Sequence, residues 1–266
     1  MEKLFDSHAH YYDERFDAEL GGADALLTTL FAGEVGGIVN VGTNLENMHV
    51  VVDAAKRYEN MYAAVGIHPS DGQAYTDVAA AVAALREFLA DAESRRARKI
   101  VALGEIGLDY HYEDTDKAQQ AAMFEAQLAL AEELGMPVII HDREAHGDCF
   151  DAICRHPKVR GVFHSYSGSA EMARDLVRRG WYISFSGVVT FKNAPRVREA
   201  VAVVPTERLL IETDCPYLTP HPHRGKMNHS GYLHYTAEAI AEVKGMDVYS
   251  LIRSSADAAK TLFDII

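Results

Sequence analysis

Leu4-Phe5-Asp6-Ser7-His8-Ala9-His10 is a short apolar run that closes on two imidazoles. On a strand, residues i and i+2 face the same side, so His8 and His10 present both rings to one point. The pattern recurs down the chain. Ala63-Ala64-Val65-Gly66-Ile67-His68, Ile100-Val101-Ala102-Leu103-Gly104-Glu105, Val138-Ile139-Ile140-His141, Val162-Phe163-His164 and Leu209-Leu210-Ile211-Glu212-Thr213-Asp214 each end in a histidine or an acid. Runs that are apolar throughout, rather than alternating, mark parallel strands buried on both faces. In a barrel of such strands the C-terminal ends converge on one face, and that face carries the chemistry.

Working outward, strands are expected near 4–8, 36–41, 61–67, 100–105, 137–141, 160–164, 181–185 and 208–212. Helical patterns fall between them, near 22–33, 46–57, 76–93, 117–135, 146–155, 169–180 and 194–203. Two more follow the last strand, near 230–245 and 247–263. Val78, Val82, Leu85 and Leu89 recur at helical spacing in an Ala-rich stretch. Gly135-Met136-Pro137 stops one helix and leads into a strand. The fold class expected is α/β, a (β/α)8 TIM-like barrel, with a seven-strand or distorted closure as the alternative. A barrel of this kind takes about 250 residues, and the chain has 266, so residues 1–266 are expected to form a single domain.

Composition narrows the function. A formal net charge of −13 argues against a broad basic surface wrapping a duplex. It leaves room for a substrate held at one end by a metal and a few local cations. Cys149, Cys154 and Cys215 form no CxxC pair and suggest a reducing compartment without a disulfide framework. A strand that begins by Leu4 leaves no space for a signal peptide, and no apolar run nears the roughly 18 residues of a membrane span. The expected location is cytoplasmic. The basic run Arg95-Arg96-Ala97-Arg98-Lys99 sits at a helix C-terminus before a strand, where cations complement the helix dipole.

Imidazoles and carboxylates gathered at strand ends are ligands for divalent metal. Glu105 closes an apolar run with no lysine or arginine at a neighbouring strand end, and its two oxygens suit it to bridge two ions. The expected sets are His8, His10, Glu105 and Asp214 for one ion, and Glu105, His141 and His164 for the other. Asp214 is also placed to accept a proton from the attacking water. Asp142, next to His141, is expected to point away. Oxygen-rich ligation favours Mg²⁺ or Mn²⁺, and the histidines also suit Zn²⁺. Paired ions activate water and steady charge on a scissile ester, which fits hydrolysis of phosphoesters, amides or lactones. For the substrate, Arg224 and Lys226 follow the last strand and suit a phosphate. His68 can hydrogen-bond the scissile group. Tyr110 and Tyr166 are candidate stacking surfaces for a terminal base, although packing is the commoner fate of such aromatics.

At these residues the chain resembles the TatD family of metal-dependent deoxyribonucleases, within the amidohydrolase-like superfamily. The resemblance runs through Asp6-Ser7-His8-Ala9-His10, Gly66-Ile67-His68-Pro69, Gly104-Glu105-Ile106-Gly107-Leu108-Asp109-Tyr110 and Pro137-Val138-Ile139-Ile140-His141. It continues through Phe163-His164-Ser165-Tyr166-Ser167-Gly168, Glu212-Thr213-Asp214-Cys215-Pro216-Tyr217-Leu218 and Arg224-Gly225-Lys226-Met227-Asn228. It departs from the family at His229-Ser230-Gly231-Tyr232 and around Asp257, outside the metal set. The resemblance implies the same six ligands and a Mg²⁺-dependent nuclease that trims single-stranded DNA from the 3′ end. The bridge here is Glu105, where related amidohydrolases and phosphotriesterases use a carboxylated lysine. The alternative reading is a metal-dependent ester or amide hydrolase such as a D-aminoacyl-tRNA deacylase. Nucleic-acid ends are the expected partner, with no membrane and no obligate protein partner.

Overall fold

The computed structural model describes residues 2–18 and 21–265. From the N-terminus it contains β1 (Leu4–Ala9), α1 (Arg15–Ala18), α2 (Ala23–Ala32), β2 (Val35–Val41), α3 (Met48–Arg57) and β3 (Met61–Val65). Next come α4 (Pro69–Gly72), α5 (Val78–Leu89), α6 (Ala92–Ala97), β4 (Ile100–Asp109), α7 (Lys117–Leu134), β5 (Val138–Arg143) and α8 (His146–Arg155). The chain ends with β6 (Gly161–Phe163), α9 (Ala170–Arg178), β7 (Tyr182–Phe185), α10 (Pro195–Val203), β8 (Leu209–Ile211), α11 (Leu233–Lys244) and α12 (Val248–Phe263). The strand–helix alternation follows the expected one closely. The helix expected over 76–93 is two helices. α5 gives way at Ala90, and the Asp91 carboxylate accepts the Ser94 N–H at 2.8 Å to cap α6. The basic run that follows is tied up locally. Arg95 donates to the Leu89 carbonyl, Arg98 to that of Phe88, and Lys99 to those of Tyr58 and Glu59.

The chain divides into two compact units, Met1–Asn40 with His164–Ile266, and Val41–Phe163. In the first, β1 pairs in parallel with β2 (Phe5 opposite Gly37, Asp6 opposite Ile38) and β7 with β8 (Ile183 opposite Leu209, Phe185 opposite Ile211). The end of β1 is joined to the segment after β8. Ala9 bridges Cys215, the Asp214 N–H donates to the His8 carbonyl at 2.9 Å, and the His10 N–H donates to the Cys215 carbonyl at 2.8 Å. Helix α12 packs on β1 and β8 and buries Leu251, Ala258, Ala259, Leu262 and Phe263.

In the second unit, β3, β4, β5 and β6 pair in parallel in that order, with Val65 opposite Leu103, Ile106 opposite Ile140, and Ile140 opposite Phe163. Leu103, Ile106, Val138, Ile139 and Ile140 are fully buried, and burying side chains of this size stabilises by about 1.5–3 kcal/mol each. Strand β4 continues past Glu105 to Asp109, beyond the expected end at 105. Gly107 makes this possible. Its φ is 147°, and a Cβ there would lie 1.9 Å from the His141 carbonyl oxygen. Two buried glutamines of α7 fix the strand ends. Gln127 accepts the Ile67 N–H at 2.8 Å and donates to its carbonyl at 3.0 Å, while Gln120 accepts the Asp109 N–H at 2.9 Å. No helix among the described residues is long and apolar enough to cross a membrane.

Candidate metal centre

In the first unit, the backbone bonds between His8, His10 and the 214–215 segment set three donors face to face. The Nε2 atoms of His8 and His10 are 3.0 Å apart. Asp214 Oδ1 is 3.3 Å from His10 Nε2 and 3.7 Å from His8 Nε2. His164 stacks on His8 with ring centroids 4.0 Å apart, and His8, His164 and Asp214 offer ligand atoms within 4.8 Å of one another. Donors about 2.1 Å from one ion and at right angles to each other lie about 3.0 Å apart, so these spacings fit a shared cation. Burial pushes the Asp214 carboxyl up, but the His10 hydrogen bond and the His164 and His8 imidazoles outweigh it and hold it below the usual range. Asp214 has φ 56° and Ser165, beside His164, has φ 41°. Left-handed backbone at non-glycine residues costs on the order of 1–3 kcal/mol and collects at functional sites.

A buried polar frame holds these candidate ligands. Asp6 accepts from Thr213 Oγ1 (2.6 Å), Ser230 Oγ (2.7 Å), the Thr213 N–H (2.9 Å) and the His8 N–H (3.3 Å). Burial raises the Asp6 carboxyl to about 6 despite these bonds. Glu212, fully buried, accepts the Ser165 N–H at 2.6 Å and stands 3.3 Å from His164 Nδ1. The carboxylate stands behind the ring at ion-pair distance without hydrogen-bond geometry, and Nε2 is the nitrogen that would meet an ion.

The second unit gathers Glu105, His141, Asp109 and His68. Glu105 Oε1 is 2.7 Å from His141 Nδ1, and Asp109 Oδ2 is 3.2 Å from His141 Nε2. The register of β4 on β5 produces this arrangement, placing Gly107 opposite His141 and Asp109 opposite Arg143. Burial raises the Asp109 carboxyl, but hydrogen bonds from His141 and the His111 N–H, with Arg143 nearby, hold it below the usual range. His68 Nε2 lies 3.6 Å from Glu105 Oε1. His68, Asp109 and His141 also form a group of metal-binding spacing. His68 Nδ1, however, accepts the Ser70 N–H at 3.1 Å. A neutral ring with Nδ1 as acceptor carries its proton on Nε2 and is a donor there, not a ligand. Asp142 turns aside to His146 Nδ1 at 2.8 Å.

The expected substrate contacts fare differently. Arg224 and Lys226 are exposed; the Arg224 guanidinium lies 3.9 Å over the Phe191 ring, and the Lys226 N–H bonds the His223 carbonyl. Among the described residues neither side chain bonds a candidate ligand histidine or acid. Tyr166 is 3% exposed and its hydroxyl donates to the Ser169 carbonyl, so it is packing. Tyr110 donates to Asp148 under the Lys117 ammonium. Cys215 is buried and burial pushes its thiol up, which leaves it a poor nucleophile.

Two acids escaped the sequence reading, Asp109 and Glu212. Both were inside quoted runs. Asp109 is four residues past Glu105, on the same side of the strand, and this becomes visible only once β4 is known to continue. Glu212 stands two before Asp214 and carried its own signal, a lone acid after Leu209-Leu210-Ile211.

The family model described as TatD related DNase matches residues 5–264. The uncharacterized metal-dependent hydrolase YabD of Bacillus subtilis is 40% identical over 264 residues, covering 98% of this chain and 99% of YabD. The uncharacterized metal-dependent hydrolase YcfH of Escherichia coli is 37% identical over 265 residues, covering 98% and 96%. Among solved structures, YJJV, a TatD homolog of Escherichia coli K12, superposes with a TM-score of 0.89 at 29% identity over 99% of this chain and 98% of that one. The fold class is therefore α/β, a (β/α)8 TIM-like barrel.

Proposed function

This chain belongs to the TatD family of metal-dependent hydrolases, and on that premise we propose that it is a two-metal phosphodiesterase that removes nucleotides from the 3′ end of single-stranded DNA. The observation that carries the reading is the convergence of His8 Nε2, His10 Nε2 and Asp214 Oδ1 within 3.0–3.7 Å. On this reading His8, His10, Glu105 and Asp214 would hold one ion, and Glu105, His141 and His164 would hold the other. The donor set suits Mg²⁺ or Mn²⁺, and Zn²⁺ as well. The chemistry supplied by such a pair is activation of water and neutralisation of charge on the scissile phosphate.

The protein's own groups divide the remaining work. Asp214 accepts the proton of the attacking water, a role open to a carboxylate set among the candidate ligand nitrogens. Asp109 holds His141 in the orientation needed for ligation, and Glu212 sets a carboxylate beside the His164 ring. His68 donates from Nε2 to a phosphate oxygen. Arg224 and Lys226 neutralise the phosphate from the loop after β8.

The test is a gel assay of 5′-labelled single-stranded DNA with Mg²⁺, Mn²⁺ or chelator, beside Glu105→Ala. A metal-dependent ladder that shortens from the 3′ end and vanishes in the variant is the expected result. No cleavage by protein shown to carry its metals would overturn the nuclease reading and direct the search to aminoacyl esters.

A further inference from the structure

We propose that Tyr217, backed by Arg15, is a stacking platform that grips the planar base of the substrate's terminal nucleotide. The inference rests on the nucleic-acid reading above and names the element that recognises the end. Tyr217 is 48% exposed, one of the few large apolar side chains left open among the described residues. It stands next to the ligands. Its ring is 6.5 Å from that of His10, edge-on at 79°, and Tyr12 meets His10 at 5.8 Å. The position is rigid. The Tyr217 N–H bonds the Asp214 carbonyl at 2.9 Å, and the Tyr217 carbonyl accepts from Asn228 Nδ2 at 2.6 Å. Asn228 is fully buried and also donates to the Thr213 carbonyl at 2.9 Å, so the platform and the ligand Asp214 are parts of one braced loop.

Arg15 decides between two kinds of site. Its guanidinium lies 4.2 Å from the Tyr217 centroid. A free arginine here would read as a phosphate hook. This one is already committed. Its Nε and Nη2 donate to the two Asp13 oxygens at 2.8 and 2.7 Å, and its backbone N–H to Asp13 Oδ1 at 3.0 Å. The charge is met by Asp13, and the flat guanidinium serves to back one face of the ring. An aromatic ring with a cation behind it and open surface beside a phosphate-binding metal site accepts a base by its π-face, without reading its identity.

The experiment measures affinity by fluorescence anisotropy on metal-loaded protein. The probes are two labelled oligonucleotides with a terminal phosphorothioate linkage to slow cleavage, one ending in a base and one in an abasic residue. Tyr217→Ala is expected to weaken the base-terminated probe by about tenfold or more, the scale of one lost base–aromatic stack, and to leave the abasic probe at its wild-type affinity. Tyr217→Phe keeps the ring and is expected to keep the difference between the probes. Equal weakening of both probes, no weakening, or no binding of either by the wild type would overturn the platform. Base-dependent binding of these probes, with no cleavage of the same unmodified strand by metal-loaded protein, would sink the nuclease reading and leave the platform standing; cleavage of the unmodified strand with an unaltered Tyr217→Ala binding profile would do the reverse.

Discussion

Each unit of the molecule sets one carboxylate behind one histidine, and they do it from opposite sides of the ring. In Met1–Asn40 with His164–Ile266, Glu212 stands at Nδ1 of His164, 3.3 Å away. In Val41–Phe163, Asp109 stands at Nε2 of His141, 3.2 Å away, and Nδ1 faces Glu105 at 2.7 Å. The surroundings differ as well. His164 and Glu212 are 4% and 1% exposed in their side chains, and the ligands near them hang on the buried network around Asp6. His141 is 16% exposed and is clasped by the two acids themselves. In the first unit a buried frame holds the candidate ligands. In the second, Glu105 and Asp109 clasp the candidate ligand His141 directly. Damage to the frame should therefore cost stability, and damage to the clasp should cost metal.

The largest effect expected is on turnover. Asp214→Asn keeps the size of the side chain but removes the proton acceptor, and loss of a general base typically costs about 10²–10⁴-fold in rate. Steady-state kinetics should find kcat down by that order with substrate affinity nearly intact. An equal loss in binding would assign Asp214 to the frame and erase the distinction between frame and chemistry in this unit.

The frame itself is broken by Asp6→Ala. Thr213, Ser230 and the His8 N–H lose an acceptor in a fully buried place. Buried donors left unmet cost about 1–3 kcal/mol each, so a loss of ~3 kcal/mol or more is expected, which lowers Tm by roughly 6–12 °C in a protein of this size. The clasp is broken by Asp109→Asn, which should leave Tm nearly unchanged while weakening metal about 10–100-fold. Glu212→Gln falls between, with a similar loss in metal affinity and a small fall in Tm, because the Ser165 N–H keeps an acceptor. Calorimetric metal titrations and thermal melts of the three variants separate the two designs. If Asp109→Asn destabilises as much as Asp6→Ala, the clasp is also a frame.

Much of this architecture was legible before any coordinates. Continuous apolar runs gave away the parallel strands, because burial on both faces removes alternation. The histidines and acids that end those runs were legible for the same reason, since an isolated polar residue closing a buried strand needs a partner. What lay beyond the sequence was pairing across strands. That β4 runs on to Asp109 depends on Gly107 fitting against the His141 carbonyl, a contact between distant segments. That Tyr166 is buried while Tyr217 is open depends on the packing of loops, which carries no periodicity to read. That the Arg224 guanidinium rests over the Phe191 ring is unreadable for the same reason.

The smallest effect is expected far from the ligands, and it tests whether stability and metal affinity are separable in the second unit. Lys99 has φ 54° and sends its ammonium to the carbonyls of Ala55, Tyr58 and Glu59 at 3.2, 2.7 and 2.8 Å, closing the end of α3. Burial lowers the pKa of that ammonium, yet its three bonds satisfy carbonyls that a helix end leaves open. Lys99→Ala removes them and should cost about 1–2 kcal/mol, since the orphaned carbonyls are half-exposed and water takes up part of the loss. Metal affinity and turnover should stay within twofold of wild type, roughly the scatter expected of independent sites. Should metal binding weaken along with the melt, the clasp around His141 depends on the stability of its whole unit, and the contrast with the Asp6 frame becomes one of degree.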